Sequence, residues 1–119
     1  MSQIKNFTDL NTWKEGHKLV LLIYKFTESF PKYEIYGLTN QIRRSAVSIT
    51  SNIAEGFARK TTKDKCHFYS ISEGFLKELQ NQLLIAKDIK YLEDKNYVVV
   101  ISQLEIVGRL LFGLKKICL

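Results

Sequence analysis

Apolar positions recur at helical spacing along most of the 119-residue chain. From Leu10 to Phe30, one stripe runs through Gly16, Leu19, Ile23, Phe26 and Phe30. A neighbouring one runs through Trp13, His17, Val20, Tyr24 and Thr27, so together they predict a helix with a wide apolar face. Pro31 interrupts it, because the residue before a proline avoids helical geometry. Leu38, Ile42, Ala46, Ile49, Ile53 and Phe57 advance in steps of four and three and predict a second helix from about Glu34 to Ala58. Thr61 and Thr62 are natural caps for a third helix, with Asp64 favourable in its first turn. Phe68, Ile71, Phe75, Leu79, Leu83 and Ala86 are its expected core face, which extends to about Ile89. Tyr91 to Asn96 reads as a turn. A fourth helix is expected from about Asp94 to Ile117, through Val100, Leu104, Val107, Leu111 and Leu114. Its opening stretch, NYVVVIS (96–102), has strong β propensity. A lone strand would lack a partner and the pattern that follows is helical, so the helix is extended through it.

Four helices of ~20–25 residues, each roughly 30–38 Å long, with short connections, predict an all-α, antiparallel up-down-up-down bundle. One proline and six glycines leave little material for turns and favour long elements. No linker, repeat or low-complexity stretch divides the chain, so residues 1–119 are read as a single domain. That length can bury a core without disulfides or metal.

Charge narrows the partners rather than the fold. The chain has 18 Lys and Arg against 12 Asp and Glu, a formal charge of +6, and a pI near 9.3. This balance suits a polyanion such as RNA or DNA. Cys66 and Cys118 do not make a disulfide framework and suit a reducing compartment. The first residues hold no apolar signal-peptide core, and LVLLIY (19–24), the longest apolar run of the N-terminal half, is far too short to span a membrane. A cytoplasmic protein without a membrane segment is expected.

The stretch QIRRSAVSITSNIAEGFARK (41–60) concentrates the candidate chemistry. It lies on the second helix, so it is not a glycine-rich phosphate loop. Gly56 sits where it can ease termination or close packing. Arg59, Lys60, Lys63 and Lys65 bracket the turn into the third helix and can gather positive charge at one end of the bundle. With Arg43 they are the candidate nucleic-acid contacts, since Lys and Arg neutralise phosphates without base-specific geometry. A merely solvated turn is the alternative. In a hairpin centred near residue 60, facing positions sum to roughly 120, which puts Arg44 near Glu73 or Glu78 in a salt bridge or intersubunit pair. Arg43, about 100° away around the helix, is expected to be the freer arginine. Ser45, Ser48, Asn52 and Glu55 share a face distinct from the core stripe. With Arg44 they form a candidate subunit interface; an exposed polar face or a polar contact inside the bundle would serve the pattern equally well.

Catalytic residues are not evident. His17 and His67 are the only neutral-pH acid–base groups, and His17 shares a packing face. Cys66 and His67 are adjacent and project in different directions, so they make no metal site. Glu55, Glu73, Glu78 and Glu105 lack paired ligand spacing. No enzyme activity, metal or cofactor is expected.

Three stretches carry a family likeness: LNTW (10–13), FPKYEIYGLTNQIRRSAVSITSNIAEG (30–56) and SEGFLKEL (72–79). With them the chain resembles the small proteins encoded within intervening sequences of bacterial large-subunit ribosomal RNA genes. The likeness covers most of the chain and is weakest after Tyr91. Ser45 stands where the family usually has Ala, and Glu73 where a small residue is more usual. The resemblance implies a four-helix bundle assembled as a homopentameric ring with a central channel. A relative of that kind accompanies the reverse transcriptase of diversity-generating retroelements as a binding accessory, not as an enzyme. Two functions are therefore expected to compete: an oligomeric basic accessory protein on the phosphate backbone of RNA or DNA, and a scaffold for a protein partner such as a nucleic-acid enzyme.

Overall fold

The computed structural model describes residues 3–119. A 3-10 turn, Phe7–Asp9, precedes four helices: α1 (Asn11–Thr27), α2 (Leu38–Ala58), α3 (Thr62–Asp88) and α4 (Asp94–Leu114). They form the expected up-down-up-down bundle, 43 × 27 × 21 Å. The α2–α3 seam is the most extensive and the α3–α4 seam is the most open of those between successive helices. NYVVVIS is helical throughout, because Val100 enters the core in register with Leu104, Val107 and Leu111.

Local chemistry sets the ends. The Asn6 side chain accepts from Thr8 N while Asp9 accepts from the Lys5 and Asn6 amides, closing a capping box before α1. These amides hold the Asp9 carboxyl below its ordinary pKa. Helix α1 ends three residues earlier than expected. The Thr27 hydroxyl donates to Ile23 O at 2.7 Å, and Phe30 turns into the core before Pro31. Helix α2 starts a turn late, since 32–34 form a separate 3-10 turn and Gly37 breaks the helical path. The Glu34 carboxylate accepts from the Leu38 amide at 3.3 Å, at the start of α2. Thr61 caps α3 through Asp64 N at 3.1 Å, as its sequence position suggests. After α3, Lys90 takes a left-handed φ of 71°. Tyr91 N and Leu92 N then both donate to Ala86 O, turning the chain into α4. The fourth helix ends at Leu114, and Lys115–Cys118 continue as a 3-10 turn.

The core contains Leu19, Ile23, Ile42, Ile49, Ile53, Leu79 and Leu83, all essentially inaccessible. One predicted face is rotated. In the first half of α3 the buried residues are Tyr69, Ser72 and Leu76, while Phe68, Ile71 and Phe75 are only half-buried. The cause is close helix approach. Ser72 Oγ donates to Ile49 O at 2.7 Å inside the seam. Tyr69 lies so near Gly56 that a Cβ there would meet its ring at 2.6 Å. Small residues bring α2 and α3 together, and Phe68 and Phe75 are displaced toward the rim. Burial pushes the Tyr69 hydroxyl pKa up. Leu38 and Phe57, at the two ends of the α2 stripe, are likewise half-buried.

Candidate nucleic-acid interface

The antiparallel topology collects three segments at one end of the bundle: the turn before α1, the α2–α3 turn and the 3-10 turn after α4. Residues 5–14, 55–65 and 115–118 carry eight Lys and Arg against three Asp and Glu, a surplus of five. The opposite end, formed by 25–35 and 87–95, carries five of each and has no surplus. The basic balance of the chain is thus gathered at the end we call basal.

The turn cluster divides into engaged and unengaged cations. Arg59 pairs with Glu55 at 3.0 Å, and its guanidinium stacks 4.7 Å from the Phe68 ring centre. Lys65 reaches back to the end of α2, donating to Phe57 O at 2.7 Å and Gly56 O at 3.4 Å. It therefore satisfies carbonyls left open at a helix C-terminus, where positive charge is favourable. Lys60 and Lys63 are exposed. Among the described residues, neither has an acidic partner.

Arg43 is not the freer arginine. Its Nε donates to Thr27 Oγ1 at 2.9 Å and its guanidinium lies 4.7 Å from the Tyr24 ring centre. This half-buried group ties α2 to α1. Sixteen residues of helix also separate it from Arg59, about 24 Å along the axis. The structure does not bring it to the basal cluster. Arg44 is exposed and shares a small polar cleft with Gln41, Ser45, Phe75 and Glu78. The hairpin rule put it near Glu73 or Glu78; it shares the cleft with Glu78 but, among the described residues, makes no salt bridge to either within the monomer. Glu73 is taken instead by Lys115, at 2.9 Å.

The small polar face of α2 grades outward. Ser45 is 2% exposed and belongs to the monomer's own interior, so the interface expectation is corrected at this residue. Ser48 and Asn52 are half-buried and linked by Asn52 Nδ2 donating to Ser48 O at 2.8 Å. Glu55 is exposed and holds Arg59.

Sequence reasoning missed the third basal segment. Cys66 and Cys118 form a disulfide, not the two free thiols expected. The bridge fixes Lys115 and Lys116 beside the start of α3. The signal was topological: a cysteine early in α3 and one just past α4 fall at the same end of an antiparallel pair. Apolar periodicity alone does not report it. Lys116 is exposed and, among the described residues, has no acidic partner.

The α3–α4 seam opens into a groove of about 930 Å³, lined by residues that include Gly74, Leu76, Lys77, Gly108 and Phe112. Phe112 and Val98 stand more than half exposed on α4. The span Asp94–Cys118 is long and apolar enough to cross a membrane by length and composition, although four of its residues are core members of the bundle. Among the described residues, no group of three His, Cys, Asp or Glu side chains is placed to hold a metal ion.

The 23S rRNA-intervening sequence protein family matches residues 8–113. The fold is similar to the 1.70 Å crystal structure of a protein with unknown function from the S23 ribosomal protein family, from Bacteroides thetaiotaomicron. The TM-score is 0.79 at 20% identity, covering 88% of this chain and 98% of that one. At that identity the likeness speaks to the fold alone. No curated protein matches the chain.

Proposed function

The chain belongs to the 23S rRNA-intervening sequence protein family, and from that premise we propose that it is a non-enzymatic, oligomeric accessory protein that binds RNA or DNA through the phosphate backbone. The observation that carries this reading is the segregation of charge: the whole surplus of the two ends lies at the basal one. Lys60 and Lys63 are its most available cations, with Arg59 and Lys65 supporting them. Lysines on a turn neutralise phosphates without reading base edges, so binding is sequence-tolerant. The working assembly in this reading is a homopentamer in the cytoplasm, without metal or cofactor. Five copies of +6 carry about +30, and repeated weak contacts combine through effective concentration. Ser48, Asn52 and Glu55, with Arg44 beside them, remain the α2 side of the contact between copies.

A second reading has its own observation. The open α3–α4 groove and the exposed Phe112 suit a protein partner, such as a nucleic-acid enzyme, for which the bundle would be a scaffold. Fluorescence anisotropy with labelled RNA and DNA across a salt series separates the two. The accessory reading expects binding at low salt that falls steeply and linearly on a log–log plot. Absence of binding at low salt would sink it and leave the scaffold. Sedimentation at micromolar concentration tests assembly; a monomer alone would end the oligomer proposal.

A further inference from the structure

The basal cations come from distant parts of the sequence, and one covalent bond holds two parts together. Cys66 immediately follows Lys65 on α3, and Cys118 lies two residues after Lys116. Their Cα atoms are 5.9 Å apart across the bridge, which spans 52 residues of sequence. Short of the bridge, the 3-10 turn Lys115–Cys118 packs on α3 and α4 and makes one ion pair, Lys115 to Glu73, whose side chains are 23% and 43% exposed. A single ion pair partly open to solvent contributes little. Cys118 is exposed and Cys66 half-buried, so an attacking thiolate can reach the bond.

We propose that the Cys66–Cys118 disulfide is a redox-controlled part of the polyanion-binding end. Closed, it holds Lys116 at the bundle end that also carries Lys60 and Lys63, adding one cation to the phosphate-binding end; open, it releases the last turn and that cation with it. The proposal rests on the phosphate-binding reading above. In the opening step, the thiolate of a small thiol attacks the Cys118 sulfur and Cys66 leaves as a thiolate. A second small thiolate then attacks the mixed disulfide, releasing Cys118 as a thiolate and a small-molecule disulfide. Two electrons pass from two small thiols to the bridge, and the freed cysteine thiolates take up protons from solvent. Closure is the reverse, with a small-molecule disulfide such as oxidised glutathione as the oxidant. In a reducing compartment the open form dominates, so an oxidising episode would strengthen binding.

The test compares oxidised and reduced full-length protein, with thiol content checked by mass spectrometry and helicity by circular dichroism. A short labelled DNA duplex and an RNA strand of equal length serve as probes in parallel, across a salt series. The oxidised form is expected to show a log–log salt slope steeper by about one on either probe, the value of one phosphate contact. Cys118→Ser should behave as the reduced form under all conditions. Lys116→Gln, with its bridge intact, should erase the difference between oxidised and reduced protein. Equal slopes in both redox states, or tighter binding after reduction, overturn the inference while leaving polyanion binding in place. No binding by either form overturns both.

Discussion

The two ends of this bundle are built from similar residues to opposite effect. At the upper end, two tyrosines and a carboxylate find partners within the monomer. Tyr91 Oη donates to Glu34 Oε2 at 2.9 Å and lies 3.1 Å from Tyr33 Oη. The other Glu34 oxygen receives the first amide of α2. Phe30 packs against the Tyr91 ring, 5.6 Å between centres, and the charges balance. At the basal end, Arg59 and Lys65 are engaged as the upper-end groups are, but Lys60, Lys63 and Lys116 are left over. The difference separates fold from function. Groups that satisfy helix ends hold the bundle; the upper end's cations are matched in number by acids, and in the proposed reading the surplus of positive charge at the basal end is what a polyanion meets.

The largest expected effect tests whether the ends depend on one shared core. Ile49→Ala removes a fully buried side chain from the middle of α2 and should cost about 2–5 kcal/mol. Urea denaturation followed by circular dichroism should show one cooperative transition; separate melting of the two ends would break the comparison. Next comes the basal seam. Gly56→Ala forces a methyl against the Tyr69 ring and should cost about 1–3 kcal/mol by overpacking. Thermal melts of the pure variant check it, and an unchanged midpoint would show that the seam has slack.

Tyr91→Phe acts at the upper end only. Loss of one hydroxyl and its partners should lower stability only modestly and leave polyanion binding untouched. The smallest effect is pH-dependent. The hydrogen bond shared with Tyr33, then that to Glu34, raise the Tyr91 pKa far above its ordinary 10.0. A raised folded-state value means that the folded form binds the proton more tightly. The contribution is full below the unfolded pKa and is lost as pH climbs from about 10 through the folded value. Wild-type stability should therefore decline in that alkaline window more steeply than that of Tyr91→Phe. Parallel declines would show that the hydrogen bonds of Tyr91 to Glu34 and Tyr33 do not contribute to stability.

The helices, their number and most of the core were legible because buried apolar residues repeat with the helical period. NYVVVIS shows period overriding propensity: its valines are β-formers, yet they stay helical because Val100 belongs to a stripe that packs. Phe68, Ile71 and Phe75 show the reverse failure. Periodicity favours large apolar side chains, whereas the seam selected Ser72 and Gly56 for close approach, a choice visible only once α2 and α3 are set together. The turn cations could be placed at one end from sequence. Which of them are occupied could not, because the partners of Lys65 are backbone carbonyls and that of Arg43 is the Thr27 hydroxyl on another helix. Replacing Arg59, Lys60, Lys63 and Lys65 together would also remove the α2 end contact of Lys65. The structure narrows the choice to Lys60 and Lys63.

That pair allows a charge-matched test of the two ends. Lys60→Gln with Lys63→Gln removes two basal charges; Lys32→Gln with Lys90→Gln removes two exposed charges from the upper end. Both variants have the same net charge, so general attraction falls equally. The salt dependence of nucleic-acid binding should become shallower by about two in the basal variant and stay near that of the wild type in the upper one. Equal losses in the two variants, or a larger loss in the upper one, would contradict the claim that the basal end is where this bundle meets its polyanion.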